Sequence, residues 1–272
     1  MTINLLGKRI AIGLTCILGG FVFTCFSAEL STGEEILDDK ADELLKSMSS
    51  YLGSTEKFTV DTDIEFEIVT SDAEKLQLSS FAKITMVRPA KLHIQREGMD
   101  ANVSLIYDGE TLTFYGEKTA TYGQLSGTGT IDDAFMIYQM ETGMPEPGAG
   151  LLLANPYEAL TPDTVSSSYI GVGYVNGIRC HHLAFRKDKV DWQIWVQAGE
   201  APLPMKFIIT SKFLVSGPQY VVRFRNWNTN PTIDDNIFTF MPPDGAKKVD
   251  SLPTEELRQF TSADDVVTAR RS

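Results

Sequence analysis

Sulfur and imidazole are scarce in this chain, which has three cysteines and three histidines in 272 residues. Cys16 and Cys25 fall in an apolar N-terminal run, leaving Cys180 alone in the remainder. A single thiol forms no internal disulfide, so stability has to come from a buried core. A zinc site needs three or four ligands at fixed geometry. His181 and His182 are adjacent and point to opposite faces of a strand, and His93 belongs to another strand, so no metal and no cofactor is expected. Positive charge is also in deficit. Against 36 Asp+Glu stand 24 Lys+Arg, a net charge of −12. Nothing in that balance would neutralise a phosphate backbone, which argues against nucleic acid as a partner. Strand–helix alternation is missing as well, and with it the case for a parallel, doubly wound sheet.

Long apolar runs are limited to one. Lys8 and Arg9 precede a charge-free stretch, Ile10 to Phe26, followed by small residues at Ser27 and Ala28. This is the anatomy of a secretory signal, assigned to residues 1–28. Cleavage after Ser27 places Cys25 and Ser27 at the two small-residue positions. The alternative is an uncleaved inner-membrane anchor, because a spanning helix needs roughly 17–25 apolar residues. Loss of Lys8 and Arg9 would take the charge from −12 to −14.

The composition has an ordinary globular balance, 43% hydrophobic and 22% charged over the whole chain. Residues 29–249 read as one domain and 250–272 as a polar tail, with a short helix over 254–260 weighed against disorder. Thr32 and Glu35 form a capping box ahead of a helix running to Leu52, with Gly53 as its stop. Ile36, Leu37, Ala41, Leu44, Leu45, Met48, Tyr51 and Leu52 recur at helical spacing. The period then changes to two: Phe58, Val60, Ile64, Phe66 and Ile68 alternate with Thr59, Asp61, Asp63, Glu65 and Glu67. That is a strand with one apolar and one acidic, solvated face. Further strands are expected at 80–88, 91–97, 102–107, 111–116 and 119–125. After a helical insertion, capped by Thr130 and closed by Gly143, come short helices broken at Pro156. Strands resume at 165–175, 178–186, 190–197, 205–212, 219–227 and 237–241. The expected fold is α+β: an open, half-closed antiparallel β-barrel of about eleven strands wrapped around the N-terminal helix and the helical insertion. Its concave side is the natural place for an apolar ligand.

One cluster has the residue types of a nucleophilic set: Cys180, His181, His182 and Asp191. Cys180 and His182 share a strand face, yet their Cβ atoms stand about 7 Å apart on a flat strand, and no helix N-terminus adjoins the thiol to activate it. The preferred reading is a packed thiol beside an orienting His182–Asp191 hydrogen bond. Trp192 shares its face with Ile194 and Val196 and is expected in the core; Trp195 is expected at a rim or against the tail. Of the strand arginines Arg88, Arg186, Arg223 and Arg225, the last two are candidate polar anchors for a lipid carboxylate or phosphate. Pairing with the acidic outer face is the preferred reading. Ile64, Phe66, Ile84, Met86, Leu92, Ile94, Trp192 and Phe207 form the candidate cavity wall.

Several segments carry a family resemblance: RPAKL (88–92), YDGETLT (107–113), GTIDDAF (129–135), GIRCHHLAFR (177–186), VDWQIW (190–195), PLPMKFIITSK (202–212), PQYVVRFRNWN (218–228) and FTFMPPDGAKK (238–248). The chain resembles the predicted periplasmic proteins of domain-of-unknown-function family 2092, grouped with the LolA/LolB-like lipoprotein carriers. The resemblance implies a LolA-like fold, a periplasmic location and a non-enzymatic binding or carrier role for a lipid or a lipoprotein acyl chain. An envelope protein partner is a separate expectation. Two alternatives stand beside it: a structural or interaction module with a self-filled core, and a thiol-dependent hydrolase. One departure is visible, since Gly150 precedes Leu151 where the family usually has an acidic residue, with Glu146 further back.

Overall fold

The computed structural model describes residues 36–70, 73–99, 102–127, 129–143 and 147–252. The signal segment, the Thr32–Glu35 box, Glu146 and the tail beyond Leu252 lie outside these residues. No described helix is long and apolar enough to cross a membrane.

Helix α1 is Asp39–Ser54. It begins later than the spacing predicts. Asp38 is its N-cap, accepting from the Ala41 N–H, while Ile36 is extended and bridges to Ser166. Ile36 and Leu37 are therefore exposed rather than part of the helix's apolar face. Asp38 also accepts from the Tyr169 N–H and donates its own N–H to Ser167 Oγ, which ties the helix start to the far end of the sheet. Ala41, Leu45, Met48 and Leu52 recur at the spacing of one helix face and are fully buried. Truncating any of the larger three to alanine removes about 2–5 kcal/mol.

The sheet comprises β1 (Lys57–Val69), β2 (Lys75–Val87), β3 (Lys91–Gly98), β4 (Asn102–Tyr107), β5 (Thr111–Gly116), β6 (Thr121–Ser126), β7 (Ser166–Val175), β8 (Ile178–Arg186), β9 (Val190–Gln197), β10 (Pro204–Ser211), β11 (Gln219–Asn228) and β12 (Lys247–Lys248). Its order is β12-β6-β5-β4-β3-β2-β1-β11-β10-β9-β8-β7. Neighbours are antiparallel except for the parallel β12–β6 pair. The edges β12 and β7 are not joined, so the sheet is open. Inward side chains from strands near both edges, such as Leu112 and Leu183, meet in one cluster with α1. That requires the sheet to curl around the helix.

Helix α2 (Ile131–Thr142) starts at Thr130, whose side chain accepts from the Asp133 N–H, and ends on left-handed Gly143. A 3-10 turn at Ala149–Leu151 and a short α3 (Pro156–Leu160) follow, with Asn155 capping α3 and proline at its first turn. One predicted strand is corrected. Residues 237–241 are not a strand: Asp235–Phe238 is a 3-10 turn. Phe238 is buried, and Phe240 packs on Tyr115 and Tyr122. The chain then rounds the edge of β6 as β12, and Leu252 enters the main cluster. A Cβ on Gly123 would lie 2.6 Å from the Ser251 carbonyl oxygen, so only glycine lets this closing strap pass.

Candidate functional site

On the inner face, beside the space α1 fills, lies a groove in three adjoining compartments. A narrow cleft of about 110 Å³ is walled by Ile64, Ala82, Ile84, Ile94, Val222 and Phe224 from the sheet, and by Phe135 and Leu151 from the insertion. A larger compartment of about 630 Å³ opens beyond it, lined by Phe66, Ile68, Ile209, Leu214, Val215 and Tyr220. A third of about 70 Å³ lies under α2, against Phe114, Phe135 and Tyr138. The first two share Arg96, Pro147 and Tyr220; the first and third share Ile94, Arg96 and Phe135. Only the larger compartment has the roughly 300–1,000 Å³ usual for a small-molecule pocket.

The eight expected wall residues divide into three groups. Ile64, Ile84 and Ile94 line the narrow cleft, and Phe66 lines the larger compartment. Met86, Leu92, Trp192 and Phe207 are 0–3% exposed and belong to the main core. Trp192 stacks on Phe185 with ring centres 3.9 Å apart and meets Phe207 at an angle. Alternation places all eight inward. How far α1 and the insertion reach decides which are covered.

Arg223 and Arg225 point the other way. Arg223 pairs with Glu65 at 2.8 Å and Arg225 with Asp63 at 2.6 Å. Their strand neighbours Val222 and Phe224 take the inward positions. Register is the cause, because β11 sets Arg223 opposite Asp63 and Val221 opposite Glu65 on β1. The acidic face of β1 is thus an outer face of ion pairs, extended by Lys75 on Glu67. Neither arginine is among the residues lining the groove, and both make the pairing with outer-face acids that the sequence favours over an anchor role.

Arg96 borders all three compartments and was not among the candidates drawn from the sequence. It is 9% exposed, and its Nε donates to Ser80 Oγ at 3.1 Å. The signal was present: Leu92, Ile94 and Arg96 follow one another at period two.

The Cys180 cluster does not assemble. Burial pushes the Cys180 thiol above its ordinary range, and the side chain packs with Val175 and Met205. His182 Nε2 lies 2.8 Å from Gln193 Oε1, and its ring stacks on Trp195. Asp191 pairs instead with Lys212 at 3.1 Å. The expected His182–Asp191 bond is corrected by register, which sets His182 opposite Trp195 and Asp191 opposite Arg186. His181 turns to the Tyr169 hydroxyl. Among the described residues no group of three or more His, Cys, Asp or Glu could hold a metal ion. Gly150, the departure from the family pattern, abuts Ala159 and Leu160 of α3, so its place is a packing position.

No curated protein matches the chain. Among solved structures, it is similar to an uncharacterized conserved protein from Thermus thermophilus at 9% identity, covering 78% of this chain and 99% of that one, with TM-score 0.46. LprF from Mycobacterium bovis is similar at 11% identity, covering 72% and 97%, with TM-score 0.44. A LolA superfamily protein from Nitrosomonas europaea is similar at 12% identity, covering 74% and 97%, with TM-score 0.38. The model of one sequence family matches residues 41–252, from the first turn of α1 to the end of the closing strap, and the chain therefore belongs to the predicted periplasmic protein family DUF2092.

Proposed function

We propose that the protein is a non-enzymatic periplasmic binder or carrier that takes an apolar chain, a lipid or the acyl group of a lipoprotein, into the inner-face groove. The observation that carries this reading is the continuity of the groove. Three compartments share their walls, apolar side chains dominate the lining, and the largest compartment is of ligand size. Phe213, Leu214 and Val215, exposed in succession on the β10–β11 turn, extend the apolar surface at its rim. Exposed apolar residues in a contiguous patch suit contact with an apolar surface or an envelope partner. Export by a signal over residues 1–28, cleaved or retained as an anchor, fits the family's description as periplasmic.

Binding is favoured over catalysis because the groove and the thiol occupy different places. Cys180 is packed away from the compartments, and the two histidines beside it bond elsewhere, to Tyr169 and Gln193. One observation favours the second reading, a module with a self-filled core. Four of the eight wall residues are already consumed by packing within the core.

Purification from the native host followed by mass spectrometry of extracted lipids tests the proposal, alongside uptake of a fluorescent fatty acid. Bound lipid and saturable uptake are expected. Ala82→Leu, which fills the narrow cleft at a packing cost of about 1–3 kcal/mol, is expected to reduce uptake while the fold survives. A consistently lipid-free protein with no uptake would leave the self-filled module as the reading.

A further inference from the structure

We infer that the bare half of the β7 edge is a self-association site, where a second copy of this chain pairs antiparallel over residues 171–175 and joins two sheets into one. This interface is separate from the groove and does not depend on what the groove holds.

The two edges of the sheet are treated differently. The β6 edge is covered by the chain's own strap, which brings Lys247 and Lys248 of β12 against it. Self-coverage and lysine are two of the devices that stop an edge from recruiting another strand. On β7 only the first half is covered: the Ser167 N–H donates to the Ile36 carbonyl, and the Tyr169 N–H to Asp38. A bulge follows at Ile170, and beyond it, among the described residues, nothing pairs with the outer side of the strand. Residues 166–175 contain no charge and no proline, in a chain of 22% charged residues. Three apolar side chains stand exposed there, Ile170 at 56%, Val172 at 45% and Tyr174 at 70%. An uncharged, apolar edge is a pairing template unless a partner takes it.

The backbone of the bare stretch is turned to the empty side. On β8 the Arg179 carbonyl accepts from the Ala198 N–H, so Arg179 bonds toward β9 and not toward its β7 neighbour Tyr174. In an antiparallel ladder the residue facing it then directs its own N–H and C=O to the other edge. Alternation gives Val172 the same direction. Two donors and two acceptors are thus spaced for one more antiparallel strand. A two-fold axis at Gly173 sets Val172 of each copy against Tyr174 of the other. Both side chains lie on the inner face, because they sit opposite His181 and Arg179, which alternate with Cys180 and share the face of Leu183. Each cross-strand pair is then β-branched against aromatic, a favourable combination. At the axis glycine meets glycine, and a Cβ on Gly171 would touch nothing within 4 Å. Glycine in a strand marks places where another backbone comes close.

Charge selects a second copy over an unrelated strand. Chains of net charge −12 repel over most of their surfaces, but β7 sets no like charges opposite each other. Arg179 stands at one end of the bare stretch, opposite Tyr174. At the other end Asp38 bonds to Tyr169 and Lys40 lies over its ring, with Asp39 between them in sequence, a net-acidic group. Antiparallel pairing brings Arg179 of each copy to the acidic end of the other, and the two-fold makes that match twice. The strand carries its own complement. Pairing over 171–175 also stops short of Tyr169, so the Asp38 bond stays intact.

The test is sedimentation velocity of the purified protein over a range of about 1–100 μM, with a concentration-dependent dimer expected. Val172→Lys sets like charges near the axis and should shift the dimer constant at least about tenfold toward monomer. Val215→Lys, on the exposed β10–β11 turn, should leave it unchanged. A cysteine readout serves should Val172→Lys misfold. Residues self-opposed at the axis have Cα atoms about 4.5 Å apart, within reach of a disulfide. Gly173→Cys is therefore expected to give a covalent dimer under mild oxidation. It is made in a Cys180→Ala background, because Cys180 lies opposite on β8. Protein that stays monomeric throughout the range would overturn the inference. So would a dimer that survives Val172→Lys, or one that dissociates on Val215→Lys while Gly173→Cys forms no disulfide. Fatty-acid uptake reads the groove separately and is expected to be unchanged in Val172→Lys.

Discussion

A Cβ built on Gly53 would lie 2.6 Å from the carbonyl oxygen of Ala154. The last turn of α1 thus rests directly on the backbone of the segment between the 3-10 turn and α3. In an isolated helix, Gly→Ala stabilises by about 1 kcal/mol. Here the sign reverses, because a backbone carbonyl cannot swing aside as a side chain can. Gly53→Ala is expected to destabilise by about 1–3 kcal/mol, read as a lower urea midpoint. An unchanged or raised midpoint would mean that the two segments are not in contact.

The ion pairs of the outer face predict little loss of stability and no loss of binding. Arg223→Ala breaks a partly exposed contact with Glu65. Such pairs are worth about 0.2–1 kcal/mol and weaken in salt. Denaturation at low and high salt measures the first effect, and fatty-acid uptake the second. Reduced uptake in this variant would return Arg223 to the binding machinery.

Cys180 is expected to be chemically quiet. The thiol is buried, and its pKa is raised because burial disfavours the thiolate. A disulfide reagent such as dithionitrobenzoate should react with the native protein slowly and with the urea-unfolded chain at once. Rapid labelling of the folded protein would revive the hydrolase alternative, which a Cys180→Ala variant retaining any hydrolytic activity would then eliminate.

Acid should weaken the fold before the carboxylates titrate. Burial holds His93, His181 and His182 below their ordinary value of 6.5. The unfolded chain therefore binds protons at these sites before the folded one does. Stability is fully present above pH 6.5 and falls as pH drops from there toward the folded values. Urea midpoints at pH 7.5, 6.5 and 5.5 test this, with a decline expected across the series. A flat series would show that the rings stay hydrated in the fold.

The closing strap makes a separate prediction. Gly123→Val places a side chain where Ser251 and Leu252 cross β6. The variant should release the strap and speed proteolysis near residue 250, since the parallel β12–β6 pair spans only two residues. Unchanged cleavage would place the strap elsewhere in solution.

Local pattern carried most of the element list. Period-two alternation located β1 through β11, though β2 starts at Lys75 and not at 80, and turn chemistry placed α2 between Thr130 and Gly143. It failed where distant chain took over. Ile36 and Leu37 match a helical face, but Ile36 is drawn into a bridge with Ser166. Residues 237–241 look like a strand, but Phe238 is buried in a turn, and the edge of β6 is taken by β12 instead.

Which side chains face inward is a local matter, because a strand alternates whatever surrounds it. The order of residues alone therefore puts Leu92, Ile94 and Arg96 on one face of β3, and Ile64 and Phe66 on one face of β1. Register and coverage are different in kind and were settled only by the assembled fold. Strand pairing sent Arg223 and Arg225 to the acids of β1 and gave His182 to Gln193 rather than Asp191. The reach of α1 made Met86, Leu92, Trp192 and Phe207 core, while a few residues away the same inward face stays open as a groove. Alternation is set by bonds along one strand, whereas pairing and coverage are set by chain distant in sequence, more than a hundred residues away for β1 and β11.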